Sequence, residues 1–224
     1  MADEDARKMQ HRARILRRRP TGEKQLSCRR FRACVLSLLL LPLLVGGCQR
    51  VQVSERRGKD VAAIDSLLRL MATRLSLMHD VAKQKWNARQ PITDSKRERE
   101  LLETLVSHGQ SRGLVPEFVR RFFLAQFAAA RLVQQADFAR WKASHQQSFT
   151  ETTSLAVLRR QIDEVSRQLI DALAAVYPWL TDRAVQQELS QRAEAILTGD
   201  GLDEVRATAI EPLRLSAGLP SASR

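Results

Sequence analysis

The chain has 224 residues, 44% of them hydrophobic, with 37 Lys and Arg against 25 Asp and Glu, a formal net charge of +12. So basic a chain suggests a nucleic-acid partner, but residues 1–47 hold 11 Lys+Arg and 4 Asp+Glu, a net +7, leaving +5 for the rest. The excess therefore sits largely in a segment expected to be removed, and no nucleic-acid partner is expected. The only cysteines are Cys28, Cys34 and Cys48, so a domain beyond Cys48 has no internal disulfide and must rest on a packed core.

In chain order, residues 1–47 read as an export signal. The basic run Arg29-Arg30-Phe31-Arg32 precedes a leucine-rich apolar stretch from Ala33 to Gly47. That stretch is too short for a comfortable membrane span of about 20 residues and contains Pro42. It ends in Val45-Gly46-Gly47-Cys48, which resembles a bacterial lipobox and makes Cys48 a candidate for lipidation. Residues 48–60 are polar and read as a tether, 61–212 as the folded domain and 213–224 as a loose tail.

A helical period begins at Val61. Val61, Ile64, Leu68, Met71, Leu75, Met78 and Ala82 alternate in steps of three and four, an apolar stripe along one face. Lys85 is the next position in that series. Pro91 biases its predecessor away from helical dihedrals, so the first helix should end before it. A second helix is expected from Ser95 through Val106, with Gly109 and Gly113 breaking it. Pro116 is placed to open a third, carrying Val119, Phe122, Phe123, Phe127, Ala130 and Val133 towards Trp141. After a polar loop, Leu155 to Val176 form a fourth helix that stops before Pro178. Thr181 is the expected cap of a fifth to about Leu197, and Gly199-Asp200-Gly201 turns into a short sixth near Asp203–Ile210. No alternating apolar–polar run suggests a strand. The fold class is all-α, about six helices, with the long first, third and fourth bundled around a polar pocket.

Few residues offer chemistry. Arg74 and Lys85 lie eleven residues apart, which on a helix puts them on one side about 16 Å apart. Each alone reads most simply as a cation snorkelling from a stripe edge. As a pair, their long side chains can converge on one anion. Nine residues beyond Lys85 comes Asp94, then Arg97 and Glu98. Ser95-Lys96-Arg97-Glu98 also matches a capping box, which would account for Ser95 and Glu98 without function. Asp94 could equally be an acid favouring the helix dipole, and Arg97 a solvated charge. Gln134 continues the inner row of the third helix and needs hydrogen-bond partners there. Arg159 is either a site cation or an edge charge paired with Asp163. His11, His79, His108 and His145 are scattered, with no pair at ligand spacing, so no metal site and no cofactor are expected. Nucleophile-elbow, Walker and dinucleotide-binding patterns are absent from the sequence.

Taken together, RLMATRLSLMHDVAKQKWNARQPITDSKRERELL, VPEFVRRFFLAQFAAARLVQQADFARWK and LRRQID resemble the all-helical chorismate mutases, specifically their exported gamma-type branch. The resemblance covers about Leu67 to Asp163. It implies that Arg74 and Arg159 bind the two carboxylates of chorismate and that Lys85 and Gln134 donate to the breaking ether oxygen. It also implies that Glu98, helped by Asp94 and near Arg97, holds the ring hydroxyl. A homodimer with pockets completed within each chain is the family's usual association. Relatives carry a small hydroxyl residue where this chain has Ala130, and some a polar residue at Leu101. The implied reaction, chorismate to prephenate, is a pericyclic rearrangement and needs no nucleophile or proton relay. The membrane is expected to be reached only through Cys48. The competing reading is a non-enzymatic helical envelope protein, favoured if Arg74, Lys85 and Arg159 fail to share a cavity.

Overall fold

The computed structural model describes residues 45–199 and 203–214, with residues 45–57 and Lys59 described by backbone alone. The chain divides after Cys48 into Met1–Cys48 and Gln49–Arg224, and the architecture below is that of the second unit. The apolar stretch read as an export signal, up to Leu44, the Cys48 side chain, Asp200-Gly201 and the tail beyond Arg214 lie outside the described residues.

Six α-helices occur among the described residues: α1 Val45–Asn87, α2 Ser95–Ser111, α3 Pro116–Ala143, α4 Leu155–Val176, α5 Arg183–Ile196 and α6 Asp203–Ile210. Two 3-10 turns, Tyr177–Trp179 and Glu211–Leu213, follow α4 and α6. There is no strand among the described residues, as the sequence implied. None of these helices is long and apolar enough to cross a membrane.

The stripe on α1 is the reason the bundle exists. Ile64, Leu68, Met71, Leu75 and Met78 are buried in one core with Phe118, Phe122, Phe123 and Val133 of α3 and Leu158, Leu169 and Leu173 of α4, and Ala82 is buried too. Helical backbone extends upstream of the stripe through the polar segment 49–60, which contains no proline to stop it.

Helix ends are set by local chemistry. After α1, Arg89 adopts φ 53° while Arg89 N–H bonds to Trp86 O and Gln90 N–H to Lys85 O, a Schellman turn built without glycine. α3 ends in the same way at His145, φ 55°. α2 ends at Gly113, φ 77°. Gly109, read from the sequence as a breaker, is instead buried inside α2. A Cβ there would lie 2.6 Å from Val119 Cγ2, so its role is close approach of α2 to α3. At α5 the cap is Asp182, whose carboxylate accepts from Ala184 N–H, and not the expected Thr181.

An aromatic cluster locks the junction of α1 and α3. Trp86 packs edge-on to Phe138 and Trp141, and Trp141 edge-on to Phe149. Trp86 Nε1 donates to Gln146 O, and Asn87 bonds Phe149 O and N–H in both directions. The last turn of α1, which carries Lys85, is thereby fixed to the 144–154 loop.

Candidate active site

One cavity of about 630 Å3, its open mouth included, lies between the first four helices. Arg74, Lys85, Asp94, Arg97, Glu98, Gln134 and Arg159 all line it. The three cations whose separation would have favoured the non-enzymatic reading therefore meet in one place, within one chain. Met78, Val81, Leu101, Phe127, Leu155 and Ile162 supply apolar wall, and Ala130 lines it as well.

Arg74 is the most deeply buried charge of the cavity wall, 3% exposed. Its Nη1 donates to the carbonyl of Gln126 at 3.1 Å, its Nε to Ser166 Oγ at 3.4 Å, and its Cζ stands 5.4 Å from the Phe127 ring centroid. Among the described residues no carboxylate is bonded to it. Burial lowers its pKa to about 10, against the opposing pull of Glu98 and Asp163. It is still charged at neutral pH.

Lys85 is also buried, at the far end of the same helix face. Its ammonium donates to the carbonyl of Ile92 in the loop between α1 and α2. Burial pushes its pKa below the ordinary lysine value; Asp94 and Glu98 oppose the shift and Arg159 adds to it.

The acids are organised differently from the capping-box expectation. Asp94, not Ser95, is the N-cap of α2, with Oδ1 accepting from Arg97 N–H at 3.1 Å. Asp94 Oδ2 accepts from Arg159 Nη2 at 3.0 Å. Glu98 then lies one residue past the capping-box position, and its carboxylate turns to Arg131, whose Nη1 reaches Oε1 at 3.0 Å and Oε2 at 2.8 Å. Arg97 pairs with Asp163, the acid that the sequence offered to Arg159.

Gln134 is buried, with Nε2 donating to Ala130 O at 3.1 Å and lying 3.9 Å from Met78 Sδ. Its Oε1 is buried without a hydrogen-bond partner among the described residues. Nε2 carries two protons, one on Ala130 O and the other on the weak thioether acceptor of Met78, which a ligand oxygen would displace.

The sequence reading missed Arg131, Ser166 and the two backbone carbonyls of Gln126 and Ile92. For Arg131 a signal exists: it precedes Gln134 by three residues on α3 and so shares its face. The others have none, because a carbonyl or a buried serine becomes a ligand only through tertiary packing.

Charge balance limits what the cavity can hold. Of five cations in its wall, Arg97, Arg131 and Arg159 are matched by Asp163, Glu98 and Asp94. Among the described residues, Arg74 and Lys85 are bonded only to neutral groups. Two buried positive charges with no carboxylate bonded to them among the described residues favour an anionic ligand.

Residues 59–135 match the family described as chorismate mutase type II. That segment contains every candidate residue of the site except Arg159. The chain is 30% identical over 142 residues to a monofunctional chorismate mutase of Enterobacter agglomerans, covering 63% of this chain and 76% of the relative. It is 26% identical over 152 residues to a secreted chorismate mutase of Mycolicibacterium smegmatis, covering 68% and 84%. Among solved structures, a chorismate mutase from Burkholderia thailandensis superposes with a TM-score of 0.61 at 30% identity, covering 67% of this chain and 98% of that one.

Proposed function

The chain belongs to the chorismate mutase family, and we propose that it isomerises chorismate to prephenate by clamping a dianion in a reactive conformation and stabilising its breaking ether bond. The observation that supports this most directly is the pair of buried cations without counterions, Arg74 and Lys85, facing one cavity.

The rearrangement is unimolecular: one C–O bond breaks as a C–C bond forms within the same molecule, and no proton is transferred. What a protein can add is a held conformer and donors aimed at the oxygen that becomes negative. In this reading Arg74 and Arg159 take the two carboxylates. Arg74 is held by Ser166 and the Gln126 carbonyl, so it needs no reorganisation when the ligand arrives. Lys85, anchored by Ile92 O, and Gln134, through its second amide proton, donate to the ether oxygen. Glu98, flanked by Asp94 and with Arg97 close by, accepts from the ring hydroxyl. Asp94 has a second task, holding Arg159 at the cavity mouth.

Relatives described as secreted support export of this chain. We further propose a homodimer in the periplasm, lipid-anchored at Cys48. Detergent-phase partitioning of the exported protein, lost in Cys48→Ser, is expected; equal partitioning of both forms would rule out the anchor. Sedimentation of the solubilised protein at twice the chain mass is expected, and a monomer mass would remove the dimer.

The function itself is tested by incubating the purified protein with chorismate. Prephenate as the sole product is expected. A folded, helical protein without turnover would contradict the proposal.

A further inference from the structure

Arg131 is the one cation in the cavity wall that neither the residue pattern nor the family resemblance singled out. It stands on α3 beside Ala130, half-buried, with Nη1 bonded to both oxygens of Glu98. Glu98 faces a cavity whose proposed ligand is a dianion. An uncompensated carboxylate a few ångströms from two others repels them strongly where water is partly excluded. Asp94 poses the same problem and is answered by Arg159. Arg159 stands at the mouth and is itself proposed to meet the ligand, whereas Arg131 is spoken for by Glu98 on both oxygens.

We infer that Arg131 is a positioning residue of this active site: it cancels the charge of Glu98 and fixes its carboxylate, so that Glu98 can accept from the ring hydroxyl without expelling the dianion. The inference rests on the chorismate reading above. It leaves Arg131 itself out of contact with the substrate.

Because repulsion by a bare Glu98 acts on the bound substrate and on the transition state alike, the loss belongs mainly in KM. Arg131→Gln is expected to raise KM for chorismate about tenfold, with a smaller change in kcat. Arg131→Lys restores the charge, and its KM should stay within about threefold of the parent. The decisive comparison is made in Glu98→Gln, where there is no carboxylate left to neutralise. There, adding Arg131→Gln should change KM by less than about twofold. Equal losses in the two backgrounds would overturn the inference, since Arg131 would then act on the ligand directly or only on the fold. An unchanged KM in Arg131→Gln would overturn it too. If Arg131→Gln does not fold, Arg131→Lys decides with Glu98 intact: a KM near the parent value supports the inference, and a tenfold rise sinks it. Failure of the underlying chorismate reading shows separately, as absence of turnover in the unmutated protein.

Discussion

Arg74 and Lys85 illustrate how position on a helix becomes chemistry. Each continues or borders an apolar stripe, and burial there costs a charge its hydration. The protein compensates only in part, with a serine, two carbonyls and an aromatic face, and the shifted pKa values record the deficit. A dianion removes it. The pH dependence follows with a definite sign. Losing a proton removes the positive charge that the proposed mechanism requires, so activity is expected to fall on the alkaline side, beginning below the ordinary lysine range because Lys85 is shifted down. Gln134 donates in every protonation state, so no acidic limb arises from it. Initial rates should therefore be nearly flat from about pH 5 to 8 and decline above. A steep change inside that window would contradict the assignment of Gln134. These residues were legible because the stripe pointed at them. Their partners were not: Ser95 and Asp94 are adjacent and both good caps, and only the bond from Arg97 N–H to Asp94 decides between them.

Elements carry the geometry. Proline, the polar loops and the stripe located the end of α1 and the helices α2 to α6 closely, since those boundaries have a local cause; the start of α1 was missed, because its helix runs on through the segment read as a tether. The errors concern residues whose role is set from outside the element. Gly109 looks like a breaker in the sequence, yet the constraint on it comes from Val119 on the next helix. Two effects compete in Gly109→Ala. Helix propensity favours alanine by about 1 kcal/mol, while a contact of 2.6 Å against a stiff, fully buried valine must be relieved at a typical cost of about 1–3 kcal/mol. The overlap should win, and thermal melting of Gly109→Ala is expected several degrees below the parent. A melting point equal to or above it would mean that α2 and α3 are not packed this closely. Because α2 delivers Asp94, Arg97 and Glu98, slack at this contact is also expected to loosen the acidic side of the cavity.

At the scale of the whole molecule, the proposed active site is a meeting of four helices that no single segment contains. α1 supplies Arg74 and Lys85, α2 and its cap supply Asp94, Arg97 and Glu98, α3 supplies Arg131 and Gln134, and α4 supplies Arg159. Sequence spacing within a helix could say which residues share a face. It could not say that Arg97 would take Asp163 and leave Arg159 to Asp94, because that choice depends on how α2 and α4 cross. The central claim is that this assembly works by charge placed in advance on a developing negative oxygen. The most direct test is chorismate turnover by the purified protein beside Lys85→Ala, with circular dichroism showing both folded. Removing one such donor typically costs about 3–4 kcal/mol, so kcat should fall by two to three decades while the helical signal is kept. A folded Lys85→Ala with kcat close to the parent would contradict the account.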